Sequence, residues 1–164
     1  MFLGGDCADH GSEWRPTQYV SLPKDIRPSP LPVLYPETCP GSAFASIHRF
    51  RREGVSPEDD IDALTHPFCF PIEEASYNVE EARQSVEYLS EFDAHEDILV
   101  MIAHDSSMLE VVDFFPEGTA NAWKQKGWRE KGMWRFLADF TVAVKEQIES
   151  ETIDEFRRAE AIVR

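Results

Sequence analysis

The stretch Asp97-Ile98-Leu99-Val100-Met101-Ile102-Ala103 followed by His104-Asp105-Ser106-Ser107 decides the reading of this 164-residue chain. Five consecutive large apolar residues between an aspartate and an alanine have the length of a strand and no polar alternation. Such a run fits a strand buried on both faces. A buried strand that ends abruptly in a histidine, an aspartate and two hydroxyls is how α/β proteins present site residues at strand ends. His104 is therefore the first candidate ligand or base, although a histidine bonded to a backbone carbonyl would occupy the same place. Asp105 can orient that ring or simply cap the segment that follows.

The residues before this strand spell a helix. Val79, Ala82, Val86, Leu89 and Phe92 recur at spacings of three and four, which puts them on one face. Ser76 or Asn78 can cap that helix, and Glu80 and Glu81 suit the positive end of its dipole. A second amphipathic helix is expected from Met133 to about Ile148, with Trp134, Leu137, Phe140, Val144 and Ile148 inward. A charged tail helix is expected over 149–164. Seven of the eleven prolines fall between Pro16 and Pro40. Proline fixes φ and restricts its predecessor, so 16–40 reads as a stiff, irregular loop that separates a short N-terminal piece from the rest. Segments 44–50 and 59–66 are short and ambiguous. Residues 1–164 together read as one α/β domain.

Composition narrows the function. The net charge is -15, and it is unevenly placed: residues 56–117 carry seventeen acidic side chains and one basic one, Arg83. A middle segment this negative repels phosphate backbones and anionic lipid, which argues against nucleic acid and membrane partners. It reads as a solvated face, or as a docking face for a basic protein. No apolar run reaches the length of a membrane span. Met1 to Gly11 has neither a basic start nor an apolar core, so no secretory signal is expected. Cys7, Cys39 and Cys69 form no CxxC and suggest no disulfide framework. A cytoplasmic protein is the expectation. GxGxxG, GxxxxGK[ST] and GxSxG are all absent, and no two of the five histidines stand at HxH, HxxH or HxxxH spacing. Trp123, Trp128 and Trp134, interleaved with Lys and Arg, fit core aromatics with wetted basic neighbours better than a stacking surface for single strands.

Gly4-Gly5-Asp6 follows a short apolar start. A glycine pair lets the backbone turn sharply, and the aspartate after it can present a carboxylate to a cation; the same pattern is also an ordinary turn. Taken with His10, with the Ala103–Ser107 strand end and with Asn121-Ala122-Trp123-Lys124-Gln125-Lys126-Gly127-Trp128, it resembles the C-terminal half of metallo-β-lactamase-fold hydrolases, above all their fungal, lactonase-like members. The resemblance implies a partial αββα sandwich. It implies that Asp6 matches the family's metal-bridging aspartate and His104 its last histidine ligand, with His10 and Asp105 near the pocket and two zinc ions as cofactor. It implies ester or lactone substrates. The family's HxHxDH motif would lie upstream of Asp6, and this sequence holds only five residues there. The expectation is an incomplete site: a truncated relative inactive alone, a hydrolase completed by ligands from a second chain, or a non-catalytic partner-binding protein using 56–117. An exposed half-core would also favour a protein partner or homo-oligomer.

Overall fold

The structure, a computed structural model, describes residues 1–162. It is mixed α/β. Among the described residues the strands are β1 (Phe2–Leu3), β2 (Asp25–Ile26), β3 (Cys39–Pro40) and β4 (Val100–Met101). The α-helices are α1 (Ser42–Ala45), α2 (Ile61–Thr65), α3 (Val79–Asp93), α4 (Trp123–Lys126), α5 (Trp128–Gly132) and α6 (Thr141–Ile162). β1 and β4 pair in parallel, with Phe2 opposite Val100 and Leu3 opposite Met101, and β2 pairs antiparallel with β3.

The apolar run 98–102 does what its composition dictates. Hydrogen bonds from Phe2 N to Leu99 O, from Gly4 N to Met101 O and from Ala103 N to Gly5 O extend the parallel ladder beyond the two assigned pairs. Side chains alternate between two faces, as the pleat requires. Val100 and Ile102 pack with Val86 and Leu89 of α3 and with Ala8 and Trp14. Leu99 packs with Met108 and Trp128, and Met101 and Trp123 border that cluster. The strand is thus covered by α3 on one face and by the tryptophan segment on the other. Trp128 and Trp134 are buried, and three nearby bases turn outward: Lys124 pairs with Asp97, Lys126 with Asp113 and Arg135 with Glu110. Arg129, next to Trp128, departs from the expected wetted neighbours, being buried and donating to the Asp93 backbone carbonyl. Part of the acidic middle segment is therefore matched by the basic stretch of the same chain.

α3 begins where the sequence places it. The Asn78 side chain accepts from Glu80 N and Glu81 N, satisfying two of the donors that a helix start leaves orphaned. Asp93, at its last turn, is buried and takes a two-pronged bond from Arg15, Nε to Oδ2 and Nη2 to Oδ1, both 2.6 Å. Arg15 Nη1 also donates to Met133 O, so one guanidinium ties the N-terminal segment, α3 and the end of α5 together.

The irregular 16–40 segment packs into the core: Leu22, Ile26, Leu31 and Cys39 are buried with Phe44, Phe136, Leu137 and Val144 in one cluster. Its apolar residues lie between prolines at no helical or strand period, so they enter the core as separate pegs. The helix expected from Met133 instead starts at Thr141, after a 3₁₀ turn over Arg135–Phe140. Trp134, Leu137 and Val144 are buried as expected, while Ile148 is exposed. The charged tail is no separate helix but the continuation of α6, for no glycine or proline interrupts residues 141–162; residues 163 and 164 of that expectation lie outside the described residues. No described helix is long and apolar enough to cross a membrane.

Candidate functional site

The pairing of β1 with β4 brings the two sequence candidates together. After β1 the chain turns through Gly4 and Gly5, and Gly5 sits at φ +57°, a conformation that L side chains adopt only at a cost. The Cys7 N–H closes the turn on Gly4 O, and Asp6 projects from its tip. On the neighbouring strand the ladder ends at Ala103, and His104 follows. His104 Nε2 lies 3.2 Å from Asp6 Oδ1, though the two residues are 98 positions apart in sequence and both side chains are mostly exposed.

These two side chains stand on the wall of a cleft of about 580 Å³. That wall also includes Cys7, Asp9 and Glu13 from the N-terminal turn, Cys69, Phe70 and Pro71 from the loop before α3, Ser76 just ahead of α3, and Ala82 in its first turn. Burial pushes the Glu13 carboxyl above its ordinary range, against the hydrogen bond that its Oε1 accepts from Asp9 N. Burial likewise raises the Cys7 thiol, which keeps it protonated and a poor nucleophile. The cleft offers a cation several oxygen donors, yet no three His, Cys, Asp or Glu side chains among the described residues converge well enough to hold a metal ion. Asp6 and His104 supply two donors, and these residues alone do not fit a complete metal centre.

The other two candidates sit elsewhere or act otherwise. His10 turns away from the Asp6 cleft. Its Nδ1 accepts from Ser12, with Oγ at 2.6 Å, and its Nε2 donates to Asp139 at 2.8 Å. The Ser–His–Asp order looks like a hydrolytic triad, but Ser12 is 1% exposed and no substrate can reach its hydroxyl. The chain of bonds is a clasp that fixes the 3₁₀ turn Gly11–Glu13 against the segment before α6. Asp105 does not hold the His104 ring. Its Oδ1 accepts from Ser107 N and Ser107 Oγ, capping the 3₁₀ turn Ser106–Glu110. Of the remaining histidines, His48 is buried and bonded to His66 O, His66 is exposed, and His95 is exposed in the acidic loop.

Sequence reasoning missed Glu13 and the Cys69–Pro71 wall. Asp6, Asp9 and Glu13 do form a small acidic series, but nothing in their spacing shows that Cys69 N will bond Ser12 O and bring the two walls together.

Comparison with known proteins adds a lineage. No family model matches the chain, and no solved structure matches it significantly. Among curated proteins, the γ-lactamase FDB1 of Fusarium pseudograminearum is 37% identical over 150 residues, which is 90% of this chain and 33% of that protein. The metallo-hydrolase mfmC of Annulohypoxylon moriforme is 28% identical over 155 residues, 94% of this chain and 37% of that protein. The cytochrome P450 monooxygenase mpaDE' of Penicillium brevicompactum is 30% identical over 147 residues, 90% of this chain but 14% of that protein. The chain thus spans about a third of the length of the two hydrolytic relatives.

Proposed function

We propose that this chain, which is part of a metallo-β-lactamase-like hydrolase, contributes Asp6 and His104 to a zinc centre whose other ligands come from outside these 164 residues. The carrying observation is the 3.2 Å approach of Asp6 Oδ1 and His104 Nε2 at the ends of two paired parallel strands. Strand ends are stiff mounts, and a carboxylate beside an imidazole is a donor pair that zinc accepts. When complete, such a centre would polarise a carbonyl and supply hydroxide at neutral pH. The substrates that suit it are esters and lactones and, given relatives named γ-lactamases, γ-lactams.

The role of this chain's own residues follows from their places. Asp6 and His104 would supply two donors to a cation, and the exposure of both side chains leaves room for further donors to approach from solvent. Asp9 and Glu13 keep the wall negative, which favours cation entry. The parallel β1–β4 pair would be one edge of the αββα sandwich, with further strands joining from outside the chain. Two donors do not hold a metal pair, so the chain by itself lacks hydrolytic activity. The partner-docking alternative has less behind it, because Lys124, Lys126 and Arg135 already answer part of the acidic segment.

Mixing the chain with a separately produced, HxHxDH-bearing portion of a relative, with zinc present, tests the reading. Turnover of a γ-lactone or γ-lactam should need both pieces, and Asp6→Asn or His104→Ala should cut it by at least about a hundredfold, the scale on which ligand loss acts. Zinc-dependent turnover by the chain alone, or full activity of the mixed Asp6→Asn protein, would sink the proposal.

A further inference from the structure

We infer that a second groove, lined by Tyr19, His66, Pro67, Phe70, Pro71 and Val86, is a specificity subsite that takes the uncharged, apolar part of a substrate whose carbonyl sits at Asp6 and His104. This rests on the reading of Asp6 and His104 given above. The groove has a volume of about 500 Å³, within the range of small-molecule sites. It abuts the Asp6–His104 cleft, because Glu13, Phe70 and Pro71 line both. A ligand leaving the polar cleft along this shared wall meets rings and prolines next.

Its walls are built from three separate segments, each held from behind. Thr17 Oγ1 accepts from Tyr19 N and Val20 N, which fixes the turn that presents Tyr19. Pro67 and Pro71 bracket Phe70, and Cys69 N is anchored on Ser12 O. The floor is Val86 and Ser90 of α3, the latter bonded to Val86 O within its own helix. Walls that do not need ordering on binding lose little entropy there, which favours a specific ligand.

Charge selects what enters. Glu13 and Glu87 border the groove, and among the described residues the one Lys or Arg on it, Arg83, is engaged by Glu80 at 2.9 Å. An anionic substituent would meet these carboxylates, with the guanidinium already answered by a third. A neutral ring or alkyl group meets the faces of Tyr19 and Phe70 and the apolar edges of the prolines.

The test is an NMR titration of the full chain with two neutral probes, 2-pyrrolidinone and N-benzyl-2-pyrrolidinone, read at the Tyr19 ring, the Phe70 amide and the Val86 methyls. The benzyl compound should shift all three and bind at least about tenfold tighter than the bare lactam, as desolvating one aromatic ring warrants. Tyr19→Ala removes a half-exposed ring and should weaken it about fivefold with the fold intact. Gln18→Trp, at an exposed position, should weaken it by crowding the groove. Equal response to both probes, silence of the three reporters, or indifference to both substitutions overturns the inference. A zinc titration of the mixed assembly, read at the His104 ring, separates the two ideas: zinc at His104 with a silent groove removes the subsite alone, and benzyl-selective shifts with no zinc effect remove the metal reading.

Discussion

Asp93→Ala should be among the most destabilising single changes in this protein. Asp93 is 1% exposed and Arg15 5% exposed, and their two 2.6 Å bonds are the main answer to the buried guanidinium charge. Removing the carboxylate leaves Arg15 with Met133 O as its remaining hydrogen-bond acceptor. It also leaves Arg15 near Arg129, whose guanidinium bonds the Asp93 backbone carbonyl and stays in place in the mutant. Breaking a buried pair from one side strands the other charge and costs about 3–5 kcal/mol. At about 2–4 °C per kcal/mol for a chain of this size, the melting temperature should fall by about 12 °C. Urea unfolding followed by far-ultraviolet circular dichroism, with thermal melts alongside, measures both quantities. Arg15→Met combined with Asp93→Leu should recover most of the loss, since an apolar pair of similar volume strands nothing. A loss below about 1 kcal/mol for Asp93→Ala would place the pair in the range of exposed ion pairs and refute its assigned burial.

Other outcomes follow from single contacts. His48 accepts from Phe50 N on Nδ1 and donates to His66 O through Nε2, so it is held neutral, and burial lowers its pKa. Below the unfolded value of about 6.5 the unfolded chain takes up the proton first, so His48's contribution to stability should fall as pH drops from about 6.5 towards the lowered folded value; denaturant midpoints of wild type and His48→Gln across pH 5–8 should converge at the acid end. Asn78→Ala removes the cap of α3 and should cost about 1 kcal/mol by the same unfolding assay, with Asn78→Asp nearly neutral. Gly41→Ala drives a methyl group into the backbone carbonyl of Pro23, which has no flexible end to yield, so it should destabilise by several kcal/mol although Gly41 has an ordinary helical φ of -60°; a stable Gly41→Ala protein would mean that the Pro23 loop can shift.

The parts of the fold that are legible in the sequence are those where one physical rule acts alone. The run Leu99–Ile102 needs only two apolar faces, and α3 needs only a period and a cap. The 16–40 segment obeys no period, because its prolines remove backbone donors and restrict ladder pairing to the two residues each of β2 and β3. Its burial is decided by partners such as Phe136 and Leu137, about a hundred residues away. α6 departs from the sequence pattern for a related reason. Its early turns carry the core anchor Val144 and its later turns carry charges, yet helix continuity depends on the backbone and not on what the side chains face.

The site divides along the same line. Asp6 and His104 can be picked out because each follows a local device, a glycine turn and a strand end, and the parallel pairing of those two devices then fixes their separation. His10 stands four residues after Asp6, and its sequence position suggests the same pocket, but the 3₁₀ turn that His10 caps rotates it onto Asp139, 129 positions along the chain. Proximity in sequence to a cleft residue is thus a poor guide once a tight turn intervenes, because each residue of such a turn advances the side chain by about 120°. The same turn that carries His10 away from the cleft swings Glu13 into it. The clasp of Ser12, His10 and Asp139 therefore has a use without being catalytic: it holds the turn in the one rotation that sets Glu13 on the wall between the Asp6–His104 cleft and the apolar groove.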